Sequence, residues 1–236
     1  MSKKKWIIII SSLVVIITIT MTILFSTYLR ANLILFRLSI SNSNPQYYQR
    51  IEPIYLKFEQ TLRANFFKSQ LRLHIPSEYK YSGMNDYKKK LIAYSYASGD
   101  KNFKILIDRD FDSKQIITLF INDKTINDIT DINEFENDYE YFKYVFQLIP
   151  DDIHFIDSDN DIRSNVSKLI VKNMLLTYKR NIAIYESDKY DFVYCETVNT
   201  CHVEVYNKQH SKNVKFLFRN LKKEEILEIV KTISFE

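Results

Sequence analysis

The spacing of hydrophobic and polar positions changes several times along the chain, and each change predicts an element. Trp6 to Leu29 run 24 residues without a charge. At about 1.5 Å rise per residue such a helix is about 36 Å long, enough to cross a hydrocarbon core of roughly 30 Å with some tilt. Trp6 and Tyr28 stand at its two ends, where interfacial aromatic side chains belong. The run exceeds the roughly 7–15 residues of a signal-peptide core, and Tyr28-Leu29-Arg30-Ala31 is not a small-residue cleavage site. Residues 1–30 therefore predict a cytoplasmic tip and an uncleaved single-pass anchor, with the bilayer contacting residues 6–29. Ala31 to Ile40 is apolar but short and holds Arg37, so it extends the helix or lies at the interface. Ser41-Asn42-Ser43-Asn44-Pro45 breaks the pattern, and residues 31–45 read as a juxtamembrane linker.

Beyond the linker, Tyr47, Ile51, Ile54, Tyr55, Phe58, Leu62 and Phe66 recur at helical spacing, with Pro53 tolerable only in a first turn. Strand-like runs follow at Leu91–Ala97, Phe103–Arg109 and Gln115–Ile121, the first two joined by a Ser98-Gly99-Asp100 turn. Asn133 with Glu136 forms a capping-box pattern ahead of a helix striped by Phe135, Tyr139, Phe142, Val145, Phe146 and Ile149, and Pro150 ends it. A second helix is predicted from about Asn160 to Lys179, followed by four strands, Ile182–Glu186, Asp191–Thr197, Cys201–Tyr206 and Asn213–Arg219. Asn220 then caps a closing helix carrying Ile226, Ile229, Val230 and Ile233. Strands cluster in consecutive runs, so the fold class is α+β: antiparallel sheets with packed helices. Helix, strands and helix recur in residues 46–150 and again in 151–236, which suggests two similar α-β-α halves.

Composition then removes whole classes of chemistry. Gly83 and Gly99 are the only glycines, so no glycine-rich phosphate loop and no GxSxG nucleophile elbow can be built. No HExxH is present, and no Ser/His/Asp or Cys/His order stands out. Asp157-Ser158-Asp159-Asn160-Asp161 opens like a calcium loop, but Ile162 stands where the turn glycine is needed and Lys168 where the bidentate glutamate is needed. Acidic residues at a helix N-terminus explain that run better. No cofactor and no metal are expected. Cys195 and Cys201 flank five residues. A hairpin centred on Val198 would set them opposite each other, and in an oxidising envelope compartment they are expected to pair as a disulfide.

The formal net charge of +4 conceals an uneven distribution. Lys3, Lys4 and Lys5 precede the apolar run and outweigh Arg30 and Arg37 behind it, which orients the N-terminus to the cytoplasm. Residues 123–161 carry 12 acidic and 2 basic side chains, a block of −10 between basic flanks. Phosphate repels such a block, so nucleic acid is excluded as its partner. A basic protein surface fits it. Glu134, Asp138 and Tyr141 are expected on the exposed face of the helix after Asn133, and Asp151, Asp152, Asp157 and Asp159 in the loops beside it.

Ile182-Ala-Ile-Tyr-Glu186, Tyr190-Asp-Phe-Val-Tyr-Cys195, Cys201-His-Val-Glu-Val-Tyr206, Asn213-Val-Lys-Phe-Leu-Phe218 and the helix Lys222-Lys-Glu-Glu-Ile-Leu-Glu-Ile-Val230 span roughly the last 60 residues. Together they resemble the C-terminal sheet and helix of bacterial immunity proteins that accompany type VI or contact-dependent toxins. That resemblance implies a stoichiometric binder of a secreted antibacterial toxin, held at the inner membrane with its C-terminal domain in the periplasm. It carries over no catalytic residue. A structural or assembly component of an envelope machine and an envelope hydrolase stand as alternatives.

Overall fold

A computed structural model of the chain describes residues 3–41, 44–57, 63–68, 71–87, 91–108, 135, 137–154, 156–178, 181–209 and 213–235. The chain opens with helix α1, Lys3–Ser41. A 3-10 turn, Pro45–Tyr48, and short strands β1 (Ile54–Tyr55), β2 (Phe66–Lys68) and β3 (Leu71–Leu73) follow. Three longer strands come next: β4 (Lys80–Tyr87), β5 (Leu91–Ser98) and β6 (Lys101–Asp108). Helices α2 (Asp138–Gln147) and α3 (Asp159–Tyr178) precede strands β7 (Asn181–Glu186), β8 (Tyr190–Glu196), β9 (Thr200–Asn207) and β10 (Asn213–Arg219). Helix α4 (Lys223–Val230) and strand β11 (Ser234–Phe235) close the described chain.

The strands form an eight-stranded sheet in the order β1-β7-β8-β9-β10-β6-β5-β4 and a three-stranded sheet in the order β11-β3-β2. The fold is thus a mixed α+β structure built on one large sheet. The four strands of residues 151–236 lie together within it, flanked on both sides by strands of residues 46–150: β1 pairs β7 in parallel, and β6 pairs β10 antiparallel. The expected pair of similar halves is therefore merged into one sheet with two shared cores. On one face, α2, α3 and the second half of α1 bury Tyr139, Phe142, Phe146, Ile162 and Leu169 against Ile182, Ile184 and Val193. On the other face, α4 and the small sheet bury Leu73, Ile226, Ile229 and Val230 against Phe103, Ile105, Val203 and Phe216. Each fully buried apolar side chain contributes about 1.5–3 kcal/mol, so both layers are strongly held.

Local chemistry explains the turns. Ser98 pairs with Lys101, leaving Gly99 and Asp100 as a two-residue loop, and Gly99 takes the positive φ of 62° that such a tight hairpin needs. Thr197 and Thr200 close the β8–β9 hairpin through Thr197 N–H to the Thr200 carbonyl at 2.7 Å and a contact between their hydroxyls at 2.6 Å. That turn is centred between Val198 and Asn199, not on Val198. The shift sets Cys195 opposite His202 and Cys201 opposite Glu196. Neighbouring positions on a strand point to opposite faces. Cys195 accordingly enters the helical core and Cys201 the other core. The expected disulfide is corrected: the two buried thiols are not bonded to each other, and the sheet lies between them.

Three further expectations change. Of the helix predicted from Tyr47 through Phe66, residues 47–57 and 63–66 form the 3-10 turn and extended segments instead, while Phe58 and Leu62 lie outside the described residues. The backbone of the described part is taken by distant partners, Ile51 N–H donating to the Phe146 carbonyl at 3.1 Å and Leu56 N–H to the Glu186 carbonyl at 2.8 Å. The cap of α2 is Asn137, whose Oδ1 accepts from Glu140 N–H at 3.0 Å; Asn133 and Glu136 lie outside the described residues, as does the strand expected at 115–121. Lys222 rather than Asn220 opens α4, and its N–H donates to Glu225 Oε2 at 2.9 Å. Asn220 adopts a left-handed φ of 61° and its Nδ2 donates to the Asp100 carbonyl at 2.9 Å.

Helix α1 divides into two environments. Ile10, Leu13, Val14, Val15, Ile16, Ile17, Ile19 and Met21 are each at least 50% exposed, around the whole circumference of the helix. Farther along, Ala31 and Leu35 are buried on α3. Thr27 Oγ1 donates to Asp159 Oδ2 at 2.9 Å, and Asn44 Nδ2 donates to the Leu176 carbonyl at 3.4 Å. The equal spacing of these two contacts shows that the described residues between Thr27 and Asn44 run parallel to 159–176. The stretch read as a linker is thus helical to Ser41 and packed on the body. Among the described residues no single helix is long and apolar enough to cross a membrane. Ile10–Thr22 and Ser26–Leu38 reach that length and apolarity together, bent by 48°.

Candidate binding cleft beside helix α3

The chain between α2 and α3 reverses direction in a few residues, and acidic side chains hold that reversal. Pro150 cannot continue α2 and starts a second 3-10 turn, Pro150–Asp152. Asp152 Oδ2 accepts from Ile149 N–H at 2.9 Å, and Asp157 Oδ2 accepts from His154 N–H at 2.8 Å. Ser158 then caps α3: its Oγ accepts from Asp161 N–H at 3.2 Å and donates to Asp161 Oδ2 at 2.6 Å. These carboxylates also sit at the positive end of the α3 dipole, where negative charge is stabilised.

This reversal walls an open cleft of about 940 Å³ lined by Phe135, Tyr144, Asp152, Asp157, Asp161, Arg163 and Lys168, among others. Lys168 forms its floor. It is only 3% exposed. Its Nζ donates to Ser164 Oγ at 2.6 Å and lies 5.4 and 5.3 Å from the ring centres of Phe135 and Tyr144. The aromatic faces stabilise the desolvated ammonium. Tyr144 Oη donates to Asn165 Oδ1 at 3.1 Å and ties α2 to α3 across the cleft. Asp152 pairs with Arg50, which leaves Asp157 and Asp161 as the carboxylates on the rim. The lining therefore mixes carboxylates with Arg163 and Lys168. The acidic groups hold backbone geometry, and Lys168 Nζ against Ser164 Oγ sets an amine beside a hydroxyl in the cleft lining.

The acidic candidates divide as follows. Asp152, Asp157 and Asp159 converge on the α2–α3 reversal, Asp159 as the acceptor for Thr27, and Asp151 is exposed in the 3-10 turn. Asp138 opens α2, on the other side of that helix's ten residues, and Glu134 lies outside the described residues. Tyr141 is corrected. It is completely buried, its ring edge-on to Phe135 at 5.4 Å and to Phe142 at 6.0 Å. Helix α2 is covered on more than one side, so a single apolar stripe underestimates what it buries.

Two polar groupings had no expectation attached. Lys172 is fully buried, and its Nζ donates to the carbonyls of Gln49, Phe146 and Leu148 at 2.8, 2.9 and 2.8 Å. Burial lowers its pKa to about 8. At the end of β7 and the start of β8, Glu186 pairs across the ladder with Asp191. Lys143 and Tyr139 both donate to Glu186 Oε1, at 2.8 and 3.0 Å, and Lys208 donates to Asp191 Oδ1 at 2.6 Å. Hydrogen bonding to Glu186 raises the Lys143 pKa, and burial raises that of Tyr139. Each carboxylate is thereby neutralised by a lysine. The signal for Lys172 and Lys168 was in the sequence: two lysines four residues apart inside a mostly apolar helical stretch, Val166 to Leu176, whose other polar residues are Ser167 and Asn173.

Among the described residues, no three His, Cys, Asp or Glu side chains are placed together to hold a metal ion. Comparison of the chain with protein-family models, curated proteins and solved structures finds no match.

Proposed function

We propose that the chain is a membrane-tethered binding protein. Its body captures a protein partner with a basic surface at the cleft beside the start of α3. The observation that carries this reading is the division of α1: residues 10–21 present apolar side chains all round, while residues from Thr27 onward are packed into the same body that carries the cleft. A helix with apolar side chains on every side is stable where its surroundings are apolar. The cleft supports binding through the carboxylates of Asp157 and Asp161 and the ring of Tyr144 on one concave wall. Asp138 and Glu134 are assigned no part in that wall.

The concrete form of the proposal is neutralisation of an antibacterial toxin that acts in the envelope, with the N-terminus cytoplasmic and the body periplasmic. Orientation rests on Lys3, Lys4 and Lys5; the cysteines, on opposite faces and not joined by a disulfide, lend no support to an oxidising compartment. The test is complex formation between the full-length chain in detergent and the product of the adjacent gene, together with survival of cells exposed to that product. A complex, weakened at least tenfold by Asp157→Lys with Asp161→Lys, and protection of the cells are expected. No complex and no protection overturn the reading.

A further inference from the structure

The second half of α1 has a face that its packing on α3 does not use. On a helix advancing about 100° per residue, Leu29, Leu33 and Phe36 fall on one stripe. Ala31 and Leu35, buried against α3, lie on the far side. The three stripe residues are 54%, 61% and 63% exposed, a high value for large apolar side chains on a helix that is docked along its length. Arg30 and Arg37 are both exposed and border the stripe together on one side; Asn32 borders it on the other. Polar side chains of this kind beside an apolar strip suit a helix lying in the plane of a membrane surface. The apolar strip then enters the acyl boundary by roughly 5–10 Å while the guanidinium groups meet lipid phosphates.

Continuity argues for lipid as the occupant. The stripe lies on the same helix as the exposed apolar run of residues 10–21, beyond half-buried Ser26, Thr27 and Tyr28 and after a bend of 48° between the two segments. A helix that turns out of the bilayer at such a bend and continues along its surface keeps both segments in contact with one membrane. A protein partner for the stripe would have to sit within a few residues of the bilayer, beside a segment already immersed in it.

We infer that residues 29–37 form an in-plane membrane contact that seats the body flat on the phospholipid surface, with α3 stacked over α1 on the side away from the lipid. This deepens, and rests on, the tether reading. The seat would hold the cleft, which shares Arg163 and Ser167 with the shallow groove between α1 and α3, close to the headgroups rather than at the end of a flexible linker.

The test uses the full-length chain reconstituted into vesicles of phosphatidylcholine and phosphatidylglycerol. The single native tryptophan is removed by Trp6→Phe, and Phe36→Trp or Leu33→Trp supplies the reporter; both sites are exposed, so the fold tolerates them. Val198→Trp, exposed in the β8–β9 turn, is the reference for a position in water. The expected result is a blue-shifted emission at positions 33 and 36, quenched by lipids carrying a spin label near the headgroup and shielded from iodide, with neither effect at 198. Arg30→Glu with Arg37→Glu should reduce that quenching. Vesicle flotation separates the two claims. A chain that floats while its tryptophan at 33 and 36 behaves like that at 198 overturns the in-plane contact alone. Shielding that arises only when a protein partner is added does the same. A chain that does not float overturns the tether and this inference together.

Discussion

At the residue scale, Lys172 is the most demanding side chain in the fold. A buried ammonium is costly unless hydrogen bonds surround it, and here three carbonyls do so. Two of them, from Phe146 and Leu148, lie at and just past the end of α2, where carbonyls lack helical partners; the third, from Gln49, belongs to the segment after α1. The lysine therefore joins three parts of the chain that are distant in sequence. Lys172→Met removes the donor these three acceptors share, the Phe146 carbonyl keeping its bond from Ile51 N–H, and is expected to destabilise the body by about 3 kcal/mol, read from denaturant midpoints. The sign of the pH effect follows from its lowered pKa of about 8 against the ordinary 10.5. Below pH 8 both states hold the proton and the cost of burying charge is complete. Between about 8 and 10 the unfolded chain still binds a proton that the folded chain has lost, so stability rises with pH, and this rise should vanish in the variant. Above about pH 10 the trend reverses. Burial raises the pKa values of Tyr47, Tyr139, Tyr190 and Tyr194, so the unfolded chain releases protons that the folded one keeps.

At the element scale, α1 carries the prediction. Leu35 and Leu33 are two residues apart on one helix and differ only in which way they face: 6% exposed against 61%. Leu35→Ala is expected to cost about 2–3 kcal/mol by removing buried contacts with α3, whereas Leu33→Ala stays within about 0.5 kcal/mol. Hydrogen exchange across residues 27–38 reads the difference directly; equal protection in both variants would contradict the packing of α1 on the body. Elements also differ in how legible they were. Strands β5 and β7 to β10, with helix α3, follow from short runs rich in apolar and aromatic residues, the Gly99 turn and a sustained helical stripe, all decided within a few residues. The segment from Tyr47 to Phe66 did not follow. Its apolar residues have helical spacing, yet its backbone groups bond to Phe146 and Glu186, partners that no local pattern contains.

At the scale of the molecule, the merging of the two apparent halves has a measurable consequence. Strand β10 needs β6, β7 needs β1, and each core draws on both sides of the 150/151 boundary. Residues 151–236 expressed alone would lack Ile105 and the rest of β6, and would expose Val203 and Phe216 to water. The fragment is expected to lack a cooperative thermal transition, whereas the body within the full chain unfolds in one step, as calorimetry can show. A sharp transition in the fragment would mean that 151–236 is an independent unit.

The sequence by itself determined what depends on near neighbours. It fixed the α+β class, the apolar character of α1, the ends of α3, the tight turn at Gly99 and the acidic character of the α2–α3 reversal. Periodicity, turn chemistry and capping are local forces, so a few residues suffice to reveal them. Only the tertiary structure decided the rest. One residue of hairpin register placed Cys195 and Cys201 on opposite faces. Coverage of α2 on more than one side buried Tyr141. The reversal before α3 turned Asp152, Asp157 and Asp161 into supports of a cleft. Docking on α3 divided one continuous apolar helix into an exposed segment and a packed one. Each of these outcomes depends on a surface or a strand supplied from elsewhere in the chain, in the case of α1 and α3 by residues 132 positions away. Burial and register are properties of such pairs, and a pair exists only once the chain has folded.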